Sequence, residues 1–294
     1  MTRLFGVIGH PIGHSLSPVM HTAAFRALHL EAFYEPFEVA PRFLAPMLRG
    51  LTLAGVEGLS VTVPLKEAVL PLLDRIDPDA RAIGAVNTIV IRGRRLTGYN
   101  TDTIGLRMAL QELGWRPRPT CAVILGAGGA ARAAAWELSR IRGSCLTIAN
   151  RHLRRAQALV RWLKRAHPHA CIQAVPLARV ALGDAKLLIN ATTVGMRASD
   201  GLPIDVRALR RGMLVYDLVY HRETPLVAAA RRRGCVAASG LSMLLYQGAA
   251  SLRLWLHRTP PLEAMRRALH KAVESGPPWR WKSAGRGKWK VEGV

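Results

Sequence analysis

The first chemical signal lies where a short apolar run, Cys121-Ala-Val-Ile-Leu125, leads into Gly126-Ala127-Gly128-Gly129-Ala130-Ala131 and an alanine-rich helical stretch. A Gly-x-Gly-x-x-Ala string is weak evidence alone. Placed between a strand and a helix, it has the context that a dinucleotide pyrophosphate needs. Gly126 allows the tight turn, Gly128 lets the phosphates approach the backbone, and Ala131 permits close packing of helix on strand. The free N–H groups of the helix start complete an anion site.

The end of the next strand selects among dinucleotides. A fold that binds NAD usually places Asp or Glu there, to accept hydrogen bonds from the ribose 2′-hydroxyl. This chain offers Asn150-Arg151-His152, followed by Arg154 and Arg155. A carboxylate repels a 2′-phosphate, whereas a guanidinium makes charge-assisted, often bidentate bonds to one. NADP is therefore the expected cofactor. The alternative, an ordinary solvated helix start, suits Arg155 better than Arg151.

Near the N-terminus, Gly9-His-Pro-Ile-Gly-His-Ser-Leu-Ser-Pro18 carries two hydroxyls, Ser15 and Ser17, whose spacing lets both face one side and hold a carboxylate. Ser17 before Pro18 equally reads as a helix N-cap. His10, His14 and His21 lie close by, but no neighbouring Asp or Glu in the sequence would orient one as a base. Structural or phosphate-edge roles fit them better than a Ser-His nucleophile.

These residues need elements to position them. Short β-rich runs alternate with amphipathic helical stretches: Leu4–Ile8 and a helix from Pro18 to Leu30, then Tyr34–Val39 and a helix from Arg42 to Ala54. Gly58–Val63 and Val86–Ile91 continue the series. The alternation predicts an α/β chain with parallel strands covered by helices. After a helix from Thr103 to Leu113, the prolines of Gly114–Thr120 break the pattern. Six further strands are expected at Cys121–Leu125, Cys145–Asn150, Ala170–Val175, Lys186–Asn190, Leu214–Leu218 and Val236–Ala238. Helices at Gly240–Leu256 and Leu262–Glu274 are placed to return to the first unit. The division that follows is an N-terminal α/β substrate domain at 1–101, completed by 240–274, and a Rossmann-type dinucleotide domain at 102–239, with a cleft between them. Residues 275–294 form a basic tail without apolar periodicity, expected to lack a fold of its own.

Among 294 residues, 42 Lys and Arg outnumber 19 Asp and Glu, for a formal charge of +23 that attracts anions of any kind. The arginines are spread over most helices and form no single stripe. No apolar run of about 18 residues suggests a membrane span, and the N-terminus shows a polar turn where a secretory leader would be apolar. A cytoplasmic protein is expected. The cysteines, Cys121, Cys145, Cys171 and Cys235, have no metal spacing and read as buried free thiols.

The order of these blocks resembles that of the shikimate dehydrogenase family over residues 4–274. The similarity runs through Gly9–Pro18, Ser60-Val-Thr-Val-Pro-Leu-Lys66, Ile83-Gly-Ala-Val-Asn-Thr88, Gly98-Tyr-Asn-Thr-Asp102, Gly126–Arg132, Asn150-Arg151, Asn190-Ala-Thr192 with Gly195-Met196, Asp217-Leu-Val-Tyr220 and Met243-Leu-Leu-Tyr-Gln-Gly-Ala249. The resemblance implies that Ser15 and Ser17 hold the substrate carboxylate, while Thr62, Lys66, Asn87, Asp102 and Gln247 surround the ring hydroxyls and Tyr220 shares the cleft. It implies that Asn190, Ala191 and Thr192 line the cofactor, with Gly240 and Met243 near the nicotinamide. Three departures stand out: Ser60 replaces a common Asn, His152 replaces a common Thr after Asn-Arg, and the basic tail extends past the usual end.

The activity implied is reversible reduction of 3-dehydroshikimate to shikimate with NADPH, a step of aromatic amino acid biosynthesis. Ketone reduction needs a hydride donor, a proton for the developing alkoxide and fixed geometry. Lys66 is the expected general acid, because its cation stabilises negative charge forming on oxygen. Asp102 would orient it and bond a substrate hydroxyl. The bland readings are a solvated helix start for Lys66 and an N-cap for Asp102. A quinate/shikimate dehydrogenase using NAD is the nearest rival. A nucleic-acid-binding protein, with Trp279, Trp281 and Trp289 among the basic residues of the tail, is the rival from another class. That reading leaves the site residues unexplained, so a small-molecule substrate is the expected partner, with no membrane and a monomer or homodimer.

Overall fold

The computed structural model describes residues 2–197, 199–275, 280–283 and 289–292. The first unit contains β1 (Arg3–Gly9), α1 (Ser17–Ala27), β2 (Ala32–Glu38), α2 (Leu44–Leu53), β3 (Val56–Val61), α3 (Leu65–Ala68), β4 (Arg75–Ile76), α4 (Pro78–Ile83), β5 (Thr88–Arg92) and β6 (Arg95–Tyr99). Its strands form one sheet in the order β2-β1-β3-β5-β6-β4.

This sheet is mixed, which corrects the expectation of parallel strands. β1 runs parallel to β2 and β3, but β5 is antiparallel to both β3 and β6. The cause is a tight hairpin between β5 and β6, where Gly93 and Arg94 have φ of 55° and 79°. Two successive positive φ values match the right-handed twist of the flanking strands, so the chain reverses in two residues. One face of the sheet buries Phe5 and Val7 under α1 and the C-terminal helices, and the other buries Ile8, Leu59 and Val61 against Leu44 and Leu48 of α2.

Helix α5 (Asp102–Glu112) leads to the second unit: β7 (Cys121–Leu125), α6 (Gly129–Ser139), β8 (Cys145–Asn150), α7 (Leu153–Ala166), β9 (Cys171–Pro176), β10 (Leu187–Asn190), β11 (Leu214–Asp217), α8 (Pro225–Arg232) and β12 (Val236–Ser239). All pairs in this sheet are parallel, in the order β12-β11-β10-β7-β8-β9. This is the doubly wound order of dinucleotide-binding folds, and it reverses between β7 and β10. Ligand crevices form at such a switch point, beyond the C-terminal ends of the strands. The Gly126 loop and the Asn190 loop flank it here.

Helices α9 (Leu241–Leu256) and α10 (Leu262–Ser275) pack on the first unit. Leu245, Leu252 and Trp255 pack with Phe5 and Met20, and Trp255 Nε1 donates to the Ile89 carbonyl at 2.9 Å. One core joins the units: Leu106 and Leu110 of α5 and Met243 of α9 pack with Ile83 and with Ala131 and Ala135 of α6. That shared layer holds the facing edges of the cleft together. In the tail, where no regular structure is expected, Arg280–Ser283 (β13) and Trp289–Glu292 (β14) pair antiparallel. The expectations for Trp279 and for the basic residues Arg286 and Lys288 lie outside the described residues. Among the described residues, no helix is long and apolar enough to cross a membrane.

Candidate active site

Beyond β3, Thr62 N donates to the Ile8 carbonyl at 2.9 Å and the Thr62 carbonyl accepts from Leu65 N at 2.8 Å. That turn starts α3 and places Lys66 on its first turn. Lys66 Nζ donates to Asp102 Oδ2 at 2.5 Å, with 13% of the lysine side chain and 4% of the aspartate side chain exposed. The solvated-helix reading of Lys66 is thereby excluded. So is capping by Asp102: it lies inside α5, and its amide donates to Asn100 Oδ1 at 3.0 Å. Its carboxylate is free to face the lysine.

Asn87 holds the other carboxylate oxygen. Its Nδ2 lies 2.8 Å from Asp102 Oδ1, 2.9 Å from Thr101 Oγ1 and 3.3 Å from Gln247 Oε1, while its Oδ1 accepts from Thr101 N at 2.7 Å. Below them, the hydroxyls of Thr88 and Ser251 meet at 2.7 Å, and Ser251 Oγ donates to the Gln247 carbonyl at 2.9 Å. Every member is buried and hydrogen-bonded, so the network fixes the Lys66–Asp102 pair in one arrangement. The sequence reading missed Thr101 and Ser251. Ser251 stands four residues after Gln247, one helical turn on, and that spacing was its available signal.

Ser15 and Ser17 are both buried. Ser15 Oγ accepts from Ser17 N at 3.3 Å, leaving its own proton to donate. Ser17 is not the cap of α1: Leu16 holds that position, and among the described residues no side chain caps the helix. Two phenols reach these hydroxyls. Burial raises the Tyr220 phenol above its usual range, opposed by hydrogen bonds with Ser15 and the Leu16 backbone. Burial likewise raises Tyr34, opposed by Ser60 and Ser17, and the Tyr34 hydroxyl donates to Ser60 Oγ at 2.7 Å. The departure at Ser60 thus keeps a partner, and Tyr34, absent from the sequence expectations, links Ser60 to Ser17.

Across the cleft, Gly126 has φ of +110°, and a Cβ there would stand 2.7 Å from the Ala191 carbonyl oxygen. Only glycine lets the β7 and β10 loops meet in this way. Among the described residues, a Cβ on Gly128, the N-cap of α6, would meet nothing within 4 Å, so the backbone there is open to a ligand. Ala127, Gly129 and Ala130 follow at the helix start, with Gly128–Ala130 at least partly accessible. Arg151, His152 and Arg154 are exposed at the start of α7, and among the described residues none of them pairs with a carboxylate. Open backbone donors, a forced glycine turn and unpaired guanidiniums fit an NADP-type dinucleotide.

The side chain of Asn190 does not face that space. It is fully buried, with Nδ2 donating to Asp217 Oδ1 at 2.9 Å and to the Val194 carbonyl at 3.1 Å, and Oδ1 accepting from Thr192 Oγ1 at 2.7 Å. Asn190 shapes the loop on which Ala191 and Thr192 are half-buried at the cleft. Asp217, also missed, anchors the same loop; burial raises its carboxyl above the ordinary range, against hydrogen bonds from Thr224, Val219 N and Asn190. Gly240 lies where a Cβ would strike the Leu218 carbonyl oxygen at 2.5 Å, and Met243 N donates to Tyr216 Oη at 3.0 Å.

The two sides also meet at the lysine. A Cβ on Gly129 would lie 3.1 Å from both Cβ and Cδ of Lys66, so the start of α6 rests on the lysine stem. Beside it, Arg132 reaches to within 3.6 Å of Glu67 and lies over the Trp162 ring at 5.1 Å.

Comparison with known proteins agrees with this geometry. Residues 7–89 match the family model described as the shikimate dehydrogenase substrate binding domain, and residues 240–270 match the shikimate 5′-dehydrogenase C-terminal domain. A shikimate dehydrogenase (NADP(+)) of Geobacter sp. (strain M21) is 46% identical over 274 residues, covering 91% of this chain and 94% of its own. One from Moorella thermoacetica is 47% identical over 277 residues, 92% of this chain and 94% of its own. The crystal structure of shikimate 5-dehydrogenase from Thermus thermophilus, in complex with NADP(H) and shikimate, superposes with a TM-score of 0.81 at 37% identity, covering 92% of this chain and 100% of that one. With identity of this level over nine-tenths of its length, the chain belongs to the shikimate dehydrogenase family.

Proposed function

We propose that this chain reduces 3-dehydroshikimate to shikimate, reversibly, with NADPH as hydride donor. One observation carries the reading: the buried Lys66–Asp102 pair lies directly under the first turn of the dinucleotide helix, in contact at Gly129. A dinucleotide held at that helix start would bring its hydride donor to the carbonyl that Lys66 protonates. Gly126–Ala130 would receive the pyrophosphate, and Arg151 and Arg154, with His152 beside them, the 2′-phosphate. Ala191, Thr192, Gly240 and Met243 would border the nicotinamide. Bound there, the cofactor supplies the hydride.

The chain's own residues do the rest. Ser15 and Ser17 hold the substrate carboxylate, with Tyr220 beside Ser15 and Tyr34 beside Ser17. Thr62, Asn87, Asp102 and Gln247 orient the ring hydroxyls. Lys66 Nζ donates a proton to the alkoxide as it forms, and its cation stabilises the charge before transfer. Asp102, itself held by Asn87, aims the ammonium. In the reverse direction the neutral amine accepts the hydroxyl proton. The reading places the protein in the cytoplasm with its NADPH supply, acting as a monomer or homodimer.

Initial rates with shikimate or quinate, each with NADP+ or NAD+, test the assignment. Shikimate with NADP+ should give the highest kcat/KM. Preference for quinate with NAD+ would overturn it.

A further inference from the structure

Three of the cysteines stand in a row. Cys121, Cys145 and Cys171 open the adjacent parallel strands β7, β8 and β9, with Cys121 opposite Cys145 and Cys145 opposite Cys171. In-register residues of parallel strands project to one face of the sheet. The next rung on that face, Val123, Thr147 and Gln173, is polar at β8 and β9, where Gln173 Nε2 donates to Thr147 Oγ1 at 3.0 Å in an exposed bond. The row therefore lies at an open part of the sheet, at the end opposite Gly126 and Arg151. Cys171, on the edge strand, is exposed, while Cys121 and Cys145 are half-buried and only Cys235 is buried. This corrects the reading of four buried thiols: a strand position fixes the pleat, not which face is left uncovered.

We propose that Cys171 and Cys145 form a reversible dithiol/disulfide pair, oxidised by hydroperoxides and reset by small dithiols. Adjacent strands lie about 4.8 Å apart, within the roughly 4.4–6.8 Å that a disulfide spans between Cα atoms. Hydrogen bonding with Cys171, then burial, and the neighbouring Cys121 push the Cys145 thiol up to about 11. The exposed Cys171, on the edge strand, meets the oxidant first, and the half-buried Cys145 stands beside it. The Cys171 thiolate attacks the peroxide O–O bond, giving Cys171 sulfenic acid and, after protonation of the leaving oxygen, water or alcohol. The Cys145 sulfur then displaces the sulfenic hydroxyl as a second water and forms the S–S bond. The two thiols lose two electrons and two protons, and the peroxide takes both. Attack by a dithiol reverses the bond through a mixed disulfide.

The full, folded chain, without substrate, is treated with equimolar hydrogen peroxide and mapped by mass spectrometry under non-reducing conditions. A Cys145–Cys171 linked peptide, about 2 Da lighter than the two reduced peptides and split by dithiothreitol, is the expected product. In C145S the link disappears and Cys171 is trapped by dimedone as sulfenic acid; in C171S neither product forms. Turnover of both variants should stay within twofold of the parent. Overoxidation of Cys171 with Cys145 left free in the native protein would overturn the proposal. So would a link to Cys121 or Cys235, or no reaction before unfolding.

Discussion

Lys66 Nζ and Asp102 Oδ2 stand 2.5 Å apart although 36 residues separate them, and Asn87 fixes the second carboxylate oxygen at 2.8 Å. A buried ion pair of this kind contributes less to stability than to geometry, because desolvation offsets much of the attraction. Its use here is to aim one N–H bond at the floor of a cleft. The mutational consequences follow from that.

Asp102→Asn keeps the size of the side chain and removes its charge. The loss of one charge-assisted hydrogen bond, about 1.5–3 kcal/mol, should lower kcat about ten- to a hundredfold. Steady-state kinetics would show this, with circular dichroism confirming the fold. A variant with parental kcat would leave Asp102 without a role in orienting the lysine.

Arg151→Ser tests the choice of cofactor. Losing a guanidinium bond to the 2′-phosphate should raise KM for NADPH about ten- to a hundredfold. KM for NADH, which lacks that phosphate, should hardly change. Equal effects on both cofactors would show that Arg151 serves the helix start and not the phosphate.

His21 predicts an acid limit to stability. Its ring is fully buried, stacks on Tyr34 at 4.4 Å between centroids, and among the described residues has no hydrogen-bond partner on either nitrogen. Burial lowers its pKa from 6.5 to about 3. The unfolded chain therefore binds this proton more readily than the folded one. The stability from a neutral His21 is complete above pH 6.5 and falls between there and about pH 3, at roughly 1.4 kcal/mol per pH unit. Melting temperatures of the parent should drop across that window, and those of His21→Phe should drop less. Parallel curves would assign the acid limit to other groups.

Much of this architecture is legible in the sequence where apolar runs are uninterrupted. Cys121–Leu125 and Cys145–Asn150 are strands with the bounds the sequence suggests, because each is a short, mostly apolar, β-rich run between breaks. The reversal at Gly93-Arg94 is not legible: charged residues surround it, and β6 (Arg-Leu-Thr-Gly-Tyr) is short and half-polar. For the site, the Gly126 loop and Arg151 follow from local chemistry. The meeting of Lys66 with Asp102, and of Tyr34 with Ser17, depends on how distant elements pack, and only the family resemblance anticipated the first. Asn190 shows the converse. Its position at a strand end was right, but its amide is consumed by Asp217 and Thr192, partners that no spacing announces.

The central claim is that the Lys66 ammonium delivers the proton to the reduced carbonyl. Lys66→Ala, measured in a single-turnover assay of NADPH oxidation by 3-dehydroshikimate beside a binding titration with shikimate, tests it most directly. Turnover should fall by about 10²- to 10⁴-fold, while the shikimate Kd changes by less than about tenfold. Parental turnover in a folded Lys66→Ala protein would contradict the mechanism.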